Sequence, residues 1–162
     1  MNYLLCVDVQ KEFVKDKKGK EVYERLLKLI SKAHLEYTVI APIYVNLDNI
    51  NMIRLMQWEE MKTIENVEFR YDLMSFHSGY SIKKYPQFGP KDKVFVVGFD
   101  TDACVLSACF DLFNNNVNFS IIADGCWSSG GKKMHEAGLK IMRRQFRKAL
   151  DTHTKLEQLV KG

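Results

Sequence analysis

Apolar and polar positions along the chain alternate between two periods. Tyr3-Leu-Leu-Cys-Val-Asp8 is a short unbroken apolar run closed by an aspartate, the pattern of a parallel strand buried on both faces. Residues 9–19 are polar and lysine-rich and read as a loop. From Lys20, Val22, Leu26, Leu27, Leu29 and Ile30 recur at helical spacing to about Ala33. Tyr37 to Val45 is a second apolar strand, in which Pro42 predicts an irregular start or edge. Residues 46–65 read as a helix on Ile53, Met56, Trp58 and Met61. Residues 66–82 hold one strand or two short ones around His77-Ser-Gly79. Residues 85–90 form a loop. The strand Lys93 to Gly98 is followed by a helix from Asp102 to about Asn114, ended by the Asn114-Asn-Asn116 run. Asn118 to Asp124 is a further strand, 132–149 a basic amphipathic helix, and the tail partly helical. Strands and helices in alternation predict a three-layer α/β/α domain with a mostly parallel central sheet.

Length and composition narrow this picture. A chain of 162 residues fits one domain, here 1–162, without internal repeat or low-complexity tract. Its size allows a core that needs no staples. The net charge of +4 comes from scattered lysines and arginines, a solvated surface rather than a nucleic-acid footprint. No apolar stretch is long enough for a bilayer and no signal peptide opens the chain. The four cysteines, Cys6, Cys104, Cys109 and Cys126, form no C-x-x-C pair and no zinc spacing. Cys6 and Cys109 fall in apolar segments and read as small core residues. A reduced, cytoplasmic setting is expected.

One place carries chemistry. Gly98-Phe-Asp-Thr101-Asp102-Ala-Cys104 spans a strand-to-helix junction. In a parallel sheet Cys104 then opens a helix at the carboxyl edge, where ligands bind and where the helix dipole favours a thiolate. Asp8 closes the first strand and Lys84 follows a short apolar stretch, so the same edge would collect all three. An aspartate can take a thiol proton, and a lysine would stabilise both anions. His34, His77, His135 and His153 read as helix or loop residues rather than strand ends, which leaves a Cys-His arrangement unsupported. Each residue also has an ordinary structural role: a cap for Asp8, a solvated lysine, a packed cysteine.

Two segments add a resemblance. Leu-Leu-Cys-Val-Asp8-Val-Gln10-Lys-Glu-Phe13 and Gly98-Phe-Asp-Thr101-Asp102-Ala-Cys104-Val resemble the Asp-x-Gln-x-x-Phe and Gly-x-x-Thr-Asp-x-Cys-Val motifs of the isochorismatase-like cysteine hydrolases. Ser120 to Cys126 and His135-Glu-Ala-Gly-Leu resemble that family's next strand and helix, so the likeness runs from about 3 to 142. It implies a catalytic triad of Asp8, Lys84 and Cys104, with Lys83 as the other candidate lysine because the following loop is shortened. It implies a cis peptide between Phe99 and Asp100 that aims the Asp100 N–H, with that of Cys104, at a developing oxyanion. Phe13, Phe88 and Trp127 would line the substrate pocket.

The resemblance has limits. Nicotinamidases of the family carry an Asp-x-His metal motif after the second strand, where this chain has Asn46-Leu-Asp48-Asn-Ile-Asn. No bound metal and no cofactor are therefore expected. The function expected from the resemblance is cleavage of a C–N bond in a small amide through a thioester. An isochorismatase-type ether hydrolase and a non-catalytic binding or assembly module on the same fold are the alternatives. A dinucleotide-binding domain is poorly supported, since no G-x-G-x-x-G follows the first strand. The partner would be a small-molecule substrate, with neither nucleic acid nor membrane, in a homo-oligomer of two or four chains.

Overall fold

The computed structural model describes residues 1–46, 49–57 and 71–161. Six strands form one sheet in the order β3-β2-β1-β4-β5-β6, and every pairing is parallel. They are β1 (Asn2–Val7), β2 (Thr38–Tyr44), β3 (Leu73–His77), β4 (Lys93–Phe99), β5 (Phe119–Trp127) and β6 (Leu150–Asp151). The central strands β1 and β4 are almost wholly buried, which is why their sequences are continuous apolar runs instead of alternating ones.

Helices cover both faces. On one side α1 (Lys17–Ala33) sets Val22, Leu26, Leu29 and Ile30 against Leu4, Cys6 and Phe99. On the other, α3 (Cys104–Asn114) and α4 (Lys132–Phe146) bury Val105, Cys109, Leu112 and Met142 against Leu5, Val7 and Ile121. A short α2 (Ile50–Arg54) follows β2. Cys6 and Cys109 are core residues as expected, and burial raises both thiols.

Boundaries moved where a cap or a bond outweighed the apolar pattern. Helix α1 begins three residues before Lys20 because the Asp16 side chain accepts from the Gly19 N–H and caps it. Of the helix expected over 46–65, the described residues show Ile50–Arg54; Leu47, Asp48 and residues 58–70 lie outside the description, and with them Trp58 and Met61. Strand β5 continues past Asp124 to Trp127. Pro42 sits inside an interior strand, not at an edge. Its consequence is local: the β1–β2 pairing stops at Leu5↔Ile40, two residues before it. Gln10 then replaces the missing ladder, its amide donating to Tyr44 O at 3.0 Å and accepting from Tyr44 N at 2.8 Å. No helix among the described residues is long and apolar enough to cross a membrane.

Candidate active site

Strand order reverses direction at β1, between β2 on one side and β4 on the other, and a crevice opens outside the carboxyl ends there. Asp8 is the first residue beyond β1, fully buried, in the left-handed region at φ 47°. Such a backbone in a non-glycine residue marks a position held by its surroundings. Gly98, paired with Val7, has φ 126°, and a Cβ there would lie 2.0 Å from the Val7 carbonyl oxygen. Only glycine lets β4 approach β1 this closely. The Phe99–Asp100 peptide is cis, as the resemblance implies. Cys104 opens α3, buried, on the wall of a cavity of about 560 Å³.

Asp8 and Cys104 come together as expected, and the third partner is a histidine. His77 Nε2 lies 2.6 Å from Asp8 Oδ1, and its Nδ1 lies 2.8 Å from Gly79 O. A carbonyl oxygen only accepts, so Nδ1 carries a hydrogen. The proton between Nε2 and Oδ1 then makes this contact either an imidazolium–carboxylate pair or an imidazole–carboxylic acid pair. Burial pulls His77 down, but the bond and charge of Asp8 outweigh it and hold the imidazole above its ordinary value. Burial raises Asp8, and His77 works against that. Oδ2 of Asp8 is buried with no hydrogen-bond partner among the described residues. Ligand-type atoms of Asp8, His77 and Cys104 all fall within 4.8 Å of one another. They are the residues that could hold a metal ion. However, two donors on one tetrahedral zinc stand roughly 3.3 Å apart, given bonds of ~2.0–2.1 Å. At 2.6 Å, His77 and Asp8 are spaced for a shared proton.

Lys84 is not part of this cluster. It is exposed, seven residues beyond the end of β3, and makes no bond to Asp8 or Cys104. Ile82 before it is buried but lies in irregular chain, so the short apolar stretch that Lys84 follows is not a strand ending at the sheet edge. Lys83 is also exposed and faces a different cavity, with Tyr85 and Phe88. The strand end belongs to His77, contrary to the reading of it as a loop or helix residue. The run Leu73-Met-Ser-Phe-His77 before Ser-Gly79 was the available signal, weakened because Leu73, Met74 and Phe76 are all exposed.

The thiol is also not acidified. Burial raises the Cys104 pKa, and the carboxylates of Asp8, Asp100 and Asp102 raise it further. Desolvation and three neighbouring anions outweigh the helix terminus, so the sulfur rests as a thiol. Asp100 is itself pushed up to about 6 by burial, against the two hydrogen bonds it accepts from Ser129 N and Oγ. Among the described residues, no acceptor takes the N–H of Asp100 or of Cys104.

The pocket aromatics divide. Phe13 lines the cavity beside Cys104, with Tyr44, Tyr80 and Phe110. Phe88 packs edge-on against Tyr3 at 4.9 Å and borders the second cavity. Trp127 is buried, its indole N–H donating to Asp16 at 3.0 Å and its ring 4.6 Å from His135. Neither lines the cavity at Cys104. His135 in turn bonds Thr101 Oγ1 at 2.7 Å, and Gly138 lets α4 lie against the Thr101–Asp102 backbone, where a Cβ would meet atoms at 2.9 Å. The junction carrying Cys104 is thus braced from behind.

Residues 2–154 match the model of the isochorismatase domain family. No curated protein sequence matches the chain significantly. Among solved structures, an isochorismatase-like hydrolase from Alkaliphilus metalliredigens superposes with a TM-score of 0.74 at 16% identity, covering 97% of this chain and 96% of the other. Nicotinamidase PncA from Bacillus subtilis gives 0.70 at 14% identity, covering 93% and 99%. The MAR1 ribonuclease from Caenorhabditis elegans gives 0.68 at 19%, covering 96% and 77%. At these identities the superpositions speak to the fold.

Proposed function

On the premise that this chain belongs to the isochorismatase family, a family of hydrolases, we propose that it is a cysteine hydrolase of small amides. Cys104 is its nucleophile, Asp8 its base and His77 the residue that positions and charges Asp8. The observation that carries this reading is the Cys104 thiol on the cavity wall, within 4.8 Å of a buried carboxylate whose Oδ2 is open.

The geometry supports one order of proton transfers. His77 Nε2–H held against Oδ1 keeps a proton on that side of the carboxylate. Oδ2 is then the atom that accepts the Cys104 proton as sulfur attacks the amide carbon. A raised thiol pKa suits transfer at the moment of attack, since a sulfur that surrenders its proton reluctantly is the stronger nucleophile. The N–H groups of Asp100 and Cys104 meet the carbonyl oxygen as it becomes an oxyanion. Asp8 passes the proton to the leaving amine, which departs and leaves a thioester. Water, deprotonated by Asp8, cleaves the thioester and restores the thiol.

A panel of primary amides with detection of released ammonia tests the activity. Cys104→Ala should lower kcat/KM by about a thousandfold or more. Rapid acid quench of the wild type should trap an acyl adduct on Cys104, read by intact mass. Hydrolysis that persists undiminished in Cys104→Ala would overturn the mechanism.

A further inference from the structure

The cavity in front of Cys104 is lined by apolar and acidic side chains. Three carboxylates line it, Asp100, Asp102 and Asp111, and no lysine, arginine or histidine does among the described residues. Among the described residues none of the three pairs with a cation there. Asp100 has both oxygens occupied by Ser129. Asp102 accepts from Ser128 Oγ at 2.5 Å. Asp111 Oδ2 accepts from Tyr85 OH at 3.3 Å, and Ser81 also bonds the carboxylate. Asp102 and Asp111 are half-buried, and their described partners are hydroxyls rather than cations. Asp8 adds no net charge, because His77 shares its proton. Tyr80 and Phe110 are partly exposed on the same cavity, and their ring faces attract a cation as well.

We propose that the substrate is an amide carrying a positive charge, an ammonium or guanidinium set apart from the scissile group by an aromatic or alkyl body. This rests on the amide-hydrolase reading above and names its substrate class. The scissile carbonyl sits at Cys104, the apolar body lies against Phe13 and Leu106, and the cation reaches Asp111 or Asp102. A cavity walled by carboxylates and low-dielectric side chains concentrates cations and repels anions. A dicarboxylate ether of the isochorismate kind would therefore enter poorly.

Binding to Cys104→Ser, which leaves the ligand intact, separates recognition from turnover. Benzamide, 4-(aminomethyl)benzamide and 4-carboxybenzamide are titrated calorimetrically at low and high salt. The cationic amide should bind about tenfold tighter than the neutral one at low salt, with a smaller margin at high salt. The anionic amide should bind weakest. Asp111→Asn or Asp102→Asn, each checked by thermal melting, should remove most of the cationic advantage while leaving benzamide affinity unchanged. Equal affinities for the neutral and cationic amides, or tightest binding of the anionic one, would overturn the proposal. The two readings fail separately. Charge-ordered binding without ammonia release from the wild type would sink the hydrolase alone, whereas hydrolysis indifferent to charge would sink only the substrate class.

Discussion

His77 beside Asp8 differs from a lysine in one decisive property, because an imidazolium loses its charge close to neutral pH. The proton on Nε2 is held above the ordinary histidine value by Asp8. Activity should therefore fall as pH rises through that raised value. His77→Lys should retain activity and move this alkaline limb upward, since an ammonium titrates near ~10.4. His77→Gln should cost about a hundredfold and lose the limb. A merely structural histidine would leave the pH profile where it was, and that result would remove His77 from the mechanism. The same proton bears on stability. The folded chain holds it more tightly than the unfolded chain does, so its contribution is complete below about 6.5 and drains away as pH rises through the raised value. Gly98, unlike His77, has no substitute. Gly98→Ala would press a methyl into the Val7 carbonyl oxygen, and denaturant unfolding should register a loss of about 4 kcal/mol or no folded protein at all.

At the scale of elements, the site depends on where strands stop pairing. Pro42 has no N–H, and the β1–β2 ladder ends before it. Gln10 closes the gap with its two bonds to Tyr44 and so fixes the loop after Asp8. Gln10→Ala would remove both of these buried bonds to the Tyr44 backbone. That should cost about 2–4 kcal/mol in urea unfolding, with activity falling in parallel as Asp8 loses its seat. A change within about 0.5 kcal/mol would show that water can replace the amide. Strand β3 matters for a similar reason. It supplies His77 at its last residue, paired with Tyr44, so the sheet's outermost strand on that side delivers a group into the central crevice.

Across the whole molecule, the two faces of the sheet do different work. The α3–α4 face carries Cys104, and the α1 face ties the chain's end to its beginning. Arg25 on α1 donates from Nε to Glu157 at 2.5 Å and from a terminal nitrogen at 2.9 Å. It also bonds Asp124 at the carboxyl part of β5. Burial pushes Asp124 up, yet Arg25 and the Leu156 N–H hold it below the usual carboxylate range. Its stabilising contribution is thus present above about pH 4 and lost as pH falls through the lowered value. Arg25→Ala should lower stability by about 1 kcal/mol, the pairs being partly solvent-screened. Thermal melts at neutral pH and at pH 3 should show the difference between wild type and variant shrinking in acid.

The sequence by itself determined the alternation of strands and helices, the parallel layered fold, the junction at Gly98–Cys104 and the apposition of Asp8 with Cys104. Those features are local: apolar period, a glycine where a chain must turn tightly, an aspartate at the end of a buried run. Tertiary structure alone decided which side chain completes the trio. His77 is sixty-nine residues from Asp8, on a strand whose exposed apolar residues hide its period, whereas Lys84 had the more familiar residue type and the wrong place. It also decided the state of the thiol. A helix terminus can be read from spacing, but burial and the carboxylates gathered from two separate segments cannot, and these reverse the sign of the shift at Cys104.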